Sequence, residues 1–398
     1  MNNVKKVTEG IFWIGGSDRR LERFENIFPI PEGVSYNSYF IEDEKTAVFD
    51  TADITVADQY MENLKTALGG RKLDYLVVLH MEPDHCSLID KVIALFPEVT
   101  VVGAKQTFVF MEQFFPESKG YNKLEVKEGD SLSTGSHTFN FIAAPMVHWP
   151  EVLFAYDTSS KALLSADAFG TFGALGGGLF ADEYDFEKDF LEHARRYYAN
   201  IVGKYGVQVQ AALKKAAGLD VSMILPLHGP VWRNDLNVIL EKYQNWSTYE
   251  SETDGVIVVY GSLYGHTASA AEAVASAIRE KGIADVKVFD VSGTDVSYLI
   301  GEVWRVKKIV LICPTYNGGL YPPMEGFIND MIALGVQNRI FALGQNGTWA
   351  PVTGRLMSEK LTNLKNVNIL ENVLTIKSAL HENDKDALNS FTDAILSA

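Results

Sequence analysis

Leu76-Val77-Val78-Leu79-His80-Met81-Glu82-Pro83-Asp84-His85 decides the reading of this chain. Four apolar residues make a short buried strand, and four residues able to bind a metal, His80, Glu82, Asp84 and His85, fall at and just beyond its end. Loops at strand ends are where α/β architectures carry chemistry, because the sheet holds the backbone while side chains converge. Three further candidates hold equivalent places: His148 after the run Phe139–Met146, Asp167 after Ala162–Ser165, and His228 after Met223–Leu227. A single histidine at a strand end is ordinarily packing. Seven ligand-type residues at such ends point instead to a metal centre, with Asp84 read either as a ligand or as a carboxylate that orients a neighbouring imidazole. Cys86, directly after the motif, reads as a small buried residue. Trp149, Phe169 and Tyr184 read either as neighbours of the metal pocket or as simple packing.

Around this stretch the first half alternates β-rich runs (Leu73–Leu79, Val99–Val102, Met223–Leu227) with helical patterns such as Phe186–Val202. A strand, turn and strand over residues 155–165 adds antiparallel sheet to the mixture. The polar stretch at residues 245–254, NWSTYESETD, has no apolar periodicity and reads as a linker, dividing the chain into domains 1–250 and 251–398. After it the order becomes regular. Val256–Tyr260, Val286–Phe289, Lys308–Ile312, Arg339–Leu343 and Val367–Leu370 predict five strands, each followed by a helix, in a doubly wound parallel α/β sheet.

The first of these strands runs into Gly261, Ser262, Leu263, Tyr264, Gly265, His266 and Thr267, a hydroxyl-rich tight loop opening a helix. There, backbone N–H groups, hydroxyls and the positive helix terminus face one anion. No Lys follows as it would in a GxxxxGK[ST] loop, so a monoester phosphate such as that of FMN fits better than a triphosphate. Pro314, Thr315, Tyr316, Asn317 and Gly318 follow the third strand, and Gly344, Gln345, Asn346, Gly347, Thr348 and Trp349 follow the fourth. Loops at these carboxyl ends lie beside a topological switch point and can sandwich a flat ring. Trp349 reads equally as a ring contact or as a surface aromatic capping the sheet edge.

Composition narrows the class. The chain has 398 residues and a formal net charge of -16, with no cluster of Lys and Arg, which excludes a phosphate-backbone binder of nucleic acid. Only Cys86 and Cys313 occur, too few for a disulfide framework or an appended iron–sulfur module, so electrons are expected from another molecule. Neither a secretory segment nor a run of 18 apolar residues is visible, so a cytoplasmic protein without membrane attachment is expected.

The pattern His-x-[His or Glu]-x-Asp-His with a distant His, Asp and His resembles the metallo-β-lactamase superfamily. Its hydrolases carry His at the third position. Glu82 stands there, adding hard oxygen and negative charge that suit iron over zinc; with Asp84 and Asp167 it brings about three negative charges, enough with a bridging hydroxide to offset two Fe²⁺ ions. Joined to the flavin-type loops, this resembles the flavodiiron family across essentially the whole chain. The resemblance implies an N-terminal metallo-β-lactamase-like αββα sandwich and a C-terminal flavodoxin-like domain. It implies that His80, Glu82 and His148 hold one iron, that Asp84, His85 and His228 hold the other, and that Asp167 bridges them; in some relatives the residue at the place of His85 is left uncoordinated. It further implies reduction of O₂ to water, of NO to N₂O, or both, with FMN relaying electrons from rubredoxin or a related donor. A head-to-tail homodimer, or a dimer of dimers, would place the FMN of one subunit beside the irons of another. His266 stands where the family often has Asn, and the frequent Gly-Trp-x-Gly-Gly run is missing near Trp349. The alternatives are a zinc hydrolase fused to a flavodoxin domain and an electron carrier with a structural metal.

Overall fold

A computed structural model describes residues 3–118 and 120–398. The chain forms two compact units, one holding the residues up to Tyr198 together with Val207–Gln244, the other Ala199–Gly206 together with Asn245–Ala398.

In the first unit a seven-stranded sheet runs in the order Lys5–Thr8, Ile11–Trp13, Tyr39–Ile41, Ala47–Phe49, Tyr75–Val78, Thr100–Gly103 and Asn122–Glu125. The first three pairings are antiparallel. The last three are parallel, and each needs a crossover, supplied by the helices Ala57–Leu68, Ile89–Leu95 and Lys105–Phe114. Tyr60, Leu64 and Leu68, buried at four-residue spacing, give the first of these helices its inward stripe. A second sheet is built from Ser131–Ser133, Thr138–Ala143, Leu153–Asp157, Ala162–Leu164 and Met223–Leu225, antiparallel except for the last pair. The rings of Phe49 and Phe139, one from each sheet, lie 4.6 Å apart, so the sheets stack on a shared core. Strands such as Ala47–Phe49 and Leu153–Asp157 are buried along their whole length, as strands covered on both faces must be. The architecture is the αββα sandwich.

The expected helix over 186–202 is broken. Phe186–Asp189 and Leu191–Tyr197 are separate α-helices divided at Phe190, whose ring is buried against Tyr184 and Phe186, and a wider π-type turn, Tyr198–Val202, follows. That turn lies where the chain leaves the first unit.

The second unit is a parallel sheet in the order Val286–Asp290, Thr253–Tyr260, Val306–Pro314, Ile340–Asn346, Asn368–Ile369, with Leu374–Ile376 also pairing to Ile340–Asn346. This is the doubly wound order with its switch point between the first and third strands. Val256, Val258, Val310 and Ile312 pack on one face against Ala271, Val274 and Ile278 of the helix His266–Glu280 and Phe391 and Ile395 of the helix Lys385–Ser397. Ile257, Val259, Ile309 and Leu311 are equally buried and point to the other face, which is why the sequence shows unbroken apolar runs here. The fifth strand is split in two: Asn368–Ile369 falls within the expected Val367–Leu370, while Leu374–Ile376, beyond the polar Glu371-Asn372, was not expected. The polar stretch 245–254 is also more ordered than its composition suggests: the helix Asn237–Ser247 runs into it, the strand Thr253–Tyr260 begins in it, and Trp246 and Tyr249 are buried anchors.

Candidate metal and flavin sites

The strand Tyr75–Val78 delivers its ligands with a fixed exit. Asp50 Oδ1 accepts the N–H groups of Leu79 at 2.8 Å and His80 at 3.1 Å, and burial pushes the Asp50 carboxyl up to about 7. Glu82 precedes the one-turn helix Pro83–Cys86, where proline suits the first position and Asp84 and His85 follow on one turn. Thr51 holds that turn, donating from N–H and hydroxyl to the His85 carbonyl at 2.8 and 2.6 Å. The loop of His228 is pinned by the Asn37 side-chain amide, which donates to the carbonyls of Pro226 and Gly229, both at 2.8 Å.

All seven sequence-derived candidates converge. Among the described residues they form two groups, His80, Glu82, His148 and Asp167, and Asp84, His85 and His228, with the ligand atoms of each group within 4.8 Å of one another. In the first, His148 Nε2 lies 2.9 Å from Glu82 Oε2 and 3.1 Å from Asp167 Oδ2, and His80 Nε2 lies 3.3 and 3.4 Å from the same oxygens. In the second, His228 Nε2 lies 3.2 Å and His85 Nε2 3.4 Å from Asp84 Oδ2. Asp167 spans the two: its Oδ1 is 3.0 Å from His85 Nε2 and its Oδ2 serves the first group.

The donor set fits metal ions. Both oxygens of Asp84 and Oδ1 of Asp167 are buried without a hydrogen-bond partner, and the Nε2 atoms of His85 and His228 face each other at 3.1 Å. Carboxylate oxygens left without a partner, beside imidazole nitrogens that face each other, are satisfied by a multivalent cation, and imidazoles mixed with three carboxylates suit iron. The field of the site has the matching sign. Burial would lower the imidazole pKa values, but the facing carboxylates outweigh it and hold His85 and His148 up to about 9 and His80 well above its usual range. Burial would likewise raise Asp167 and Glu82, yet the histidines keep both well below the usual carboxylate range.

The surrounding wall is largely aromatic. Phe24, Tyr36 and Tyr197 ring His228 at 5.4, 5.7 and 5.5 Å between centroids, and Trp149 stands edge-on to His80 at 5.5 Å. Of the three aromatic candidates, Trp149 is the one seen in ring contact with a metal-group histidine. Phe169 packs against Tyr243 at 4.5 Å, and Tyr184 is hydrogen-bonded to Gly176 and Gly178 beside a separate 220 Å³ cavity. Two acidic residues were missed. Glu151 Oε1 lies 2.9 Å from His80 Nδ1. Glu25, on the hairpin turn after Arg23–Phe24, is an exposed residue whose carboxyl is raised above its ordinary range by partial desolvation and by the adjoining Glu82. Neither carries a sequence signal, since each gains its place only through the tertiary approach of distant segments.

In the second unit the three loops enclose a cavity of about 450 Å³ at the carboxyl end of the sheet. Ser262, Leu263, Tyr264, His266, Thr267, Pro314, Thr315, Tyr316, Asn317, Gly318, Asn346, Gly347, Thr348 and Trp349 line it, as do Ala350 and Ser378, which were not anticipated. Ser378 enters from the loop after the split fifth strand and donates to Thr348 Oγ1 at 3.0 Å. Gly265, Gly344 and Gln345 do not line the cavity. Gly265 caps the helix His266–Glu280 at φ 96° behind the loop. The fourth strand runs on to Asn346, so Gly344 and Gln345 are strand residues; by alternation Gln345 points away into a different cavity while Asn346 turns toward Thr267 Oγ1 at 3.0 Å. The lining suits a flat aromatic phosphate ester. Hydroxyls and a helix start stand at the phosphate end, while Tyr264 and Trp349, 93% and 90% exposed, offer ring faces at the mouth. Gly261 lets the loop approach closely, because a Cβ there would stand 2.4 Å from the Tyr321 ring.

A family model described as ODP family beta lactamase matches residues 34–229, and the flavodoxin model matches 258–391. The nitric oxide reductase of Moorella thermoacetica is 30% identical over 365 residues, 91% of this chain and 90% of that one. The anaerobic nitric oxide reductase flavorubredoxin of Aeromonas hydrophila is 32% identical over 361 residues, 88% of this chain and 72% of the relative. Among solved structures, rubredoxin oxygen:oxidoreductase from Desulfovibrio gigas superposes with a TM-score of 0.91 at 26% identity, covering 99% of this chain and 98% of that one. The flavodiiron protein of Giardia intestinalis gives 0.93 at 25% identity, covering 100% and 98%. Two redox-competent sites on a β-lactamase-like sandwich and a flavodoxin-like sheet define a class of flavin- and iron-dependent oxidoreductases. The chain belongs to the flavodiiron family within it.

Proposed function

We propose that this protein reduces O₂ to water, NO to N₂O, or both, at a non-haem two-iron centre, with FMN relaying electrons from an external donor. The observation that carries the reading is Asp167, whose two carboxylate oxygens serve two donor groups of two histidines and one further carboxylate each. Bound iron and FMN supply the redox chemistry: two one-electron metals and one two-electron flavin match the four electrons that O₂ needs to become two waters. The chain's own residues prepare the place. Asp50, Thr51 and Asn37 fix the backbone on which the ligands stand. Phe24, Tyr36, Tyr197 and Trp149 form the apolar wall that limits water around them. In the flavin cavity Ser262, Thr267 and the start of the helix His266–Glu280 would hold the phosphate, and Tyr264, Tyr316 and Trp349 the ring.

The donor is a rubredoxin or related redox protein, a reading supported by two cysteines that are both buried and by relatives named for rubredoxin chemistry. The working form is a head-to-tail homodimer or dimer of dimers in the cytoplasm. No described helix is long and apolar enough to cross a membrane. The labour divides between a metal domain and a flavin domain, with the boundary proposed near residue 250 and residues 199–206 packing in the flavin unit. The relatives are named as reductases, which does not favour the zinc hydrolase alternative.

The test is metal and flavin content per chain on protein made in iron-replete, zinc-poor medium, with consumption of each gas followed after photoreduction. About two irons and one FMN with turnover of either gas are expected. Tightly held zinc with no gas consumption would overturn the proposal.

A further inference from the structure

Donor for donor the two metal groups match: each offers two imidazole nitrogens, one carboxylate of its own, Glu82 or Asp84, and one oxygen of Asp167. The difference lies behind the imidazoles. His80 Nδ1 is 2.9 Å from Glu151 Oε1, which also accepts the Met81 N–H at 2.8 Å. An ionised carboxylate only accepts, so Nδ1 carries the hydrogen and Nε2 is the inward nitrogen. Glu151 is 3% exposed and its Oε2 has no hydrogen-bond partner, so little besides the His80 imidazole and the Met81 N–H engages this carboxyl group. Among the described residues no carboxylate is hydrogen-bonded behind the second group: His228 Nδ1 donates to the neutral carbonyl of Ser35 at 2.8 Å, His85 Nδ1 is buried without a partner, and the Asp50 carboxyl near His85 accepts the N–H groups of Leu79 and His80 instead. A carboxylate behind an imidazole draws on its N–H and makes the opposite nitrogen a stronger donor, more so than a carbonyl does. Stronger donation favours the higher oxidation state of the metal it reaches.

Resting on the two-iron reading above, we propose that Glu151 is a positioning residue that makes the two irons inequivalent, the iron on the His80 side having the lower reduction potential. The experiment is a redox titration of the iron- and FMN-loaded full chain, following the half-oxidised two-iron state by electron paramagnetic resonance in wild type, Glu151→Gln and Glu151→Asp. Glu151→Gln is expected to keep two irons and FMN while the lower potential rises, a tenfold change in that equilibrium reading as about 59 mV. Glu151→Asp, which keeps the charge, is expected to recover part of the shift. Unchanged potentials in Glu151→Gln at full iron content, or movement of the higher potential only, would overturn the inference. Where Glu151→Gln does not fold, Mössbauer spectra of half-oxidised wild type decide: ferric iron confined to one of two distinct sites supports it, and ferric iron spread equally over both defeats it. A wild-type chain that binds no iron would defeat the two-iron reading itself, a different result from either.

Discussion

Asp167 is the residue on which both metal groups depend, because each of its oxygens belongs to a different group. Asp167→Ala is expected to lose at least one iron per chain and to retain FMN, whose cavity lies in the other unit; full iron occupancy in the variant would sink the assignment. A second carboxylate–imidazole pair away from the metals gives a pH test. His137 Nδ1 lies 2.8 Å from Asp157 Oδ2, which raises the imidazole above its ordinary 6.5; burial would raise Asp157, yet His137 and the Ser160 contacts keep it below its ordinary 3.8. A raised histidine stabilises the fold fully below its unfolded pKa and loses that contribution as pH rises through its folded value. A depressed aspartate does so above its unfolded pKa and loses it as pH falls through its folded value. The pair is therefore complete between these limits. Asp157→Asn is expected to flatten the decline of melting temperature on the alkaline side, measured on metal-loaded protein; an unchanged slope would remove His137 from the account. The seven metal candidates were legible in the sequence because ligand chemistry allows few residue types and each followed an apolar run. Glu151 was not, because it meets His80 across 71 positions of chain and resembles any surface glutamate until the fold is known.

Among elements, the end of the helix Val296–Arg305 rests on one buried cation. Arg339, 2% exposed, donates from Nε to the carbonyl of Val303 at 2.7 Å and from Nη2 to that of Trp304 at 3.1 Å, with Nη1 reaching the Tyr249 carbonyl at 2.6 Å. These are last-turn carbonyls that the helix cannot satisfy itself, and the guanidinium also opposes the negative end of the helix dipole. Burial lowers its pKa to about 10. Arg339→Met fills similar space but leaves those carbonyls without a donor, at about 1–3 kcal/mol each. A lower urea midpoint for flavin release is expected, and an unshifted midpoint would contradict the capping role. At this scale the sequence was a partial guide. Long apolar runs gave the parallel sheet, whereas the three-residue strand Leu374–Ile376 is too short to show a period, and polar Gln345 and Asn346 concealed that the fourth strand continues.

For the molecule as a whole, each unit has its own core, so chelation that strips the metals is expected to leave FMN bound and the flavin spectrum unchanged; flavin loss in step with iron loss would show that the cores are not independent. The flavin unit nevertheless depends on residues 199–206. Gly203 lies so close to Trp304 that a Cβ would stand 2.7 Å from the indole, its carbonyl accepts the Tyr249 hydroxyl at 3.0 Å, and Asn200 Nδ2 donates to the Ser297 carbonyl at 3.0 Å. A fragment beginning at Asn245 is expected to melt below the flavin unit of the full chain, because it lacks these partners. Equal melting temperatures would make the segment dispensable.

The chain changes unit after Tyr198, after Gly206 and after Gln244. A recombination event that replaces everything beyond the last of these points leaves residues 199–206 behind, so an incoming flavin module must accept a foreign segment against its own counterpart of Trp304. Modules joined like beads trade freely, but these two are laced. Their ancestry is therefore expected to be shared, with changes near Gly203 and Trp304 passing down a lineage together.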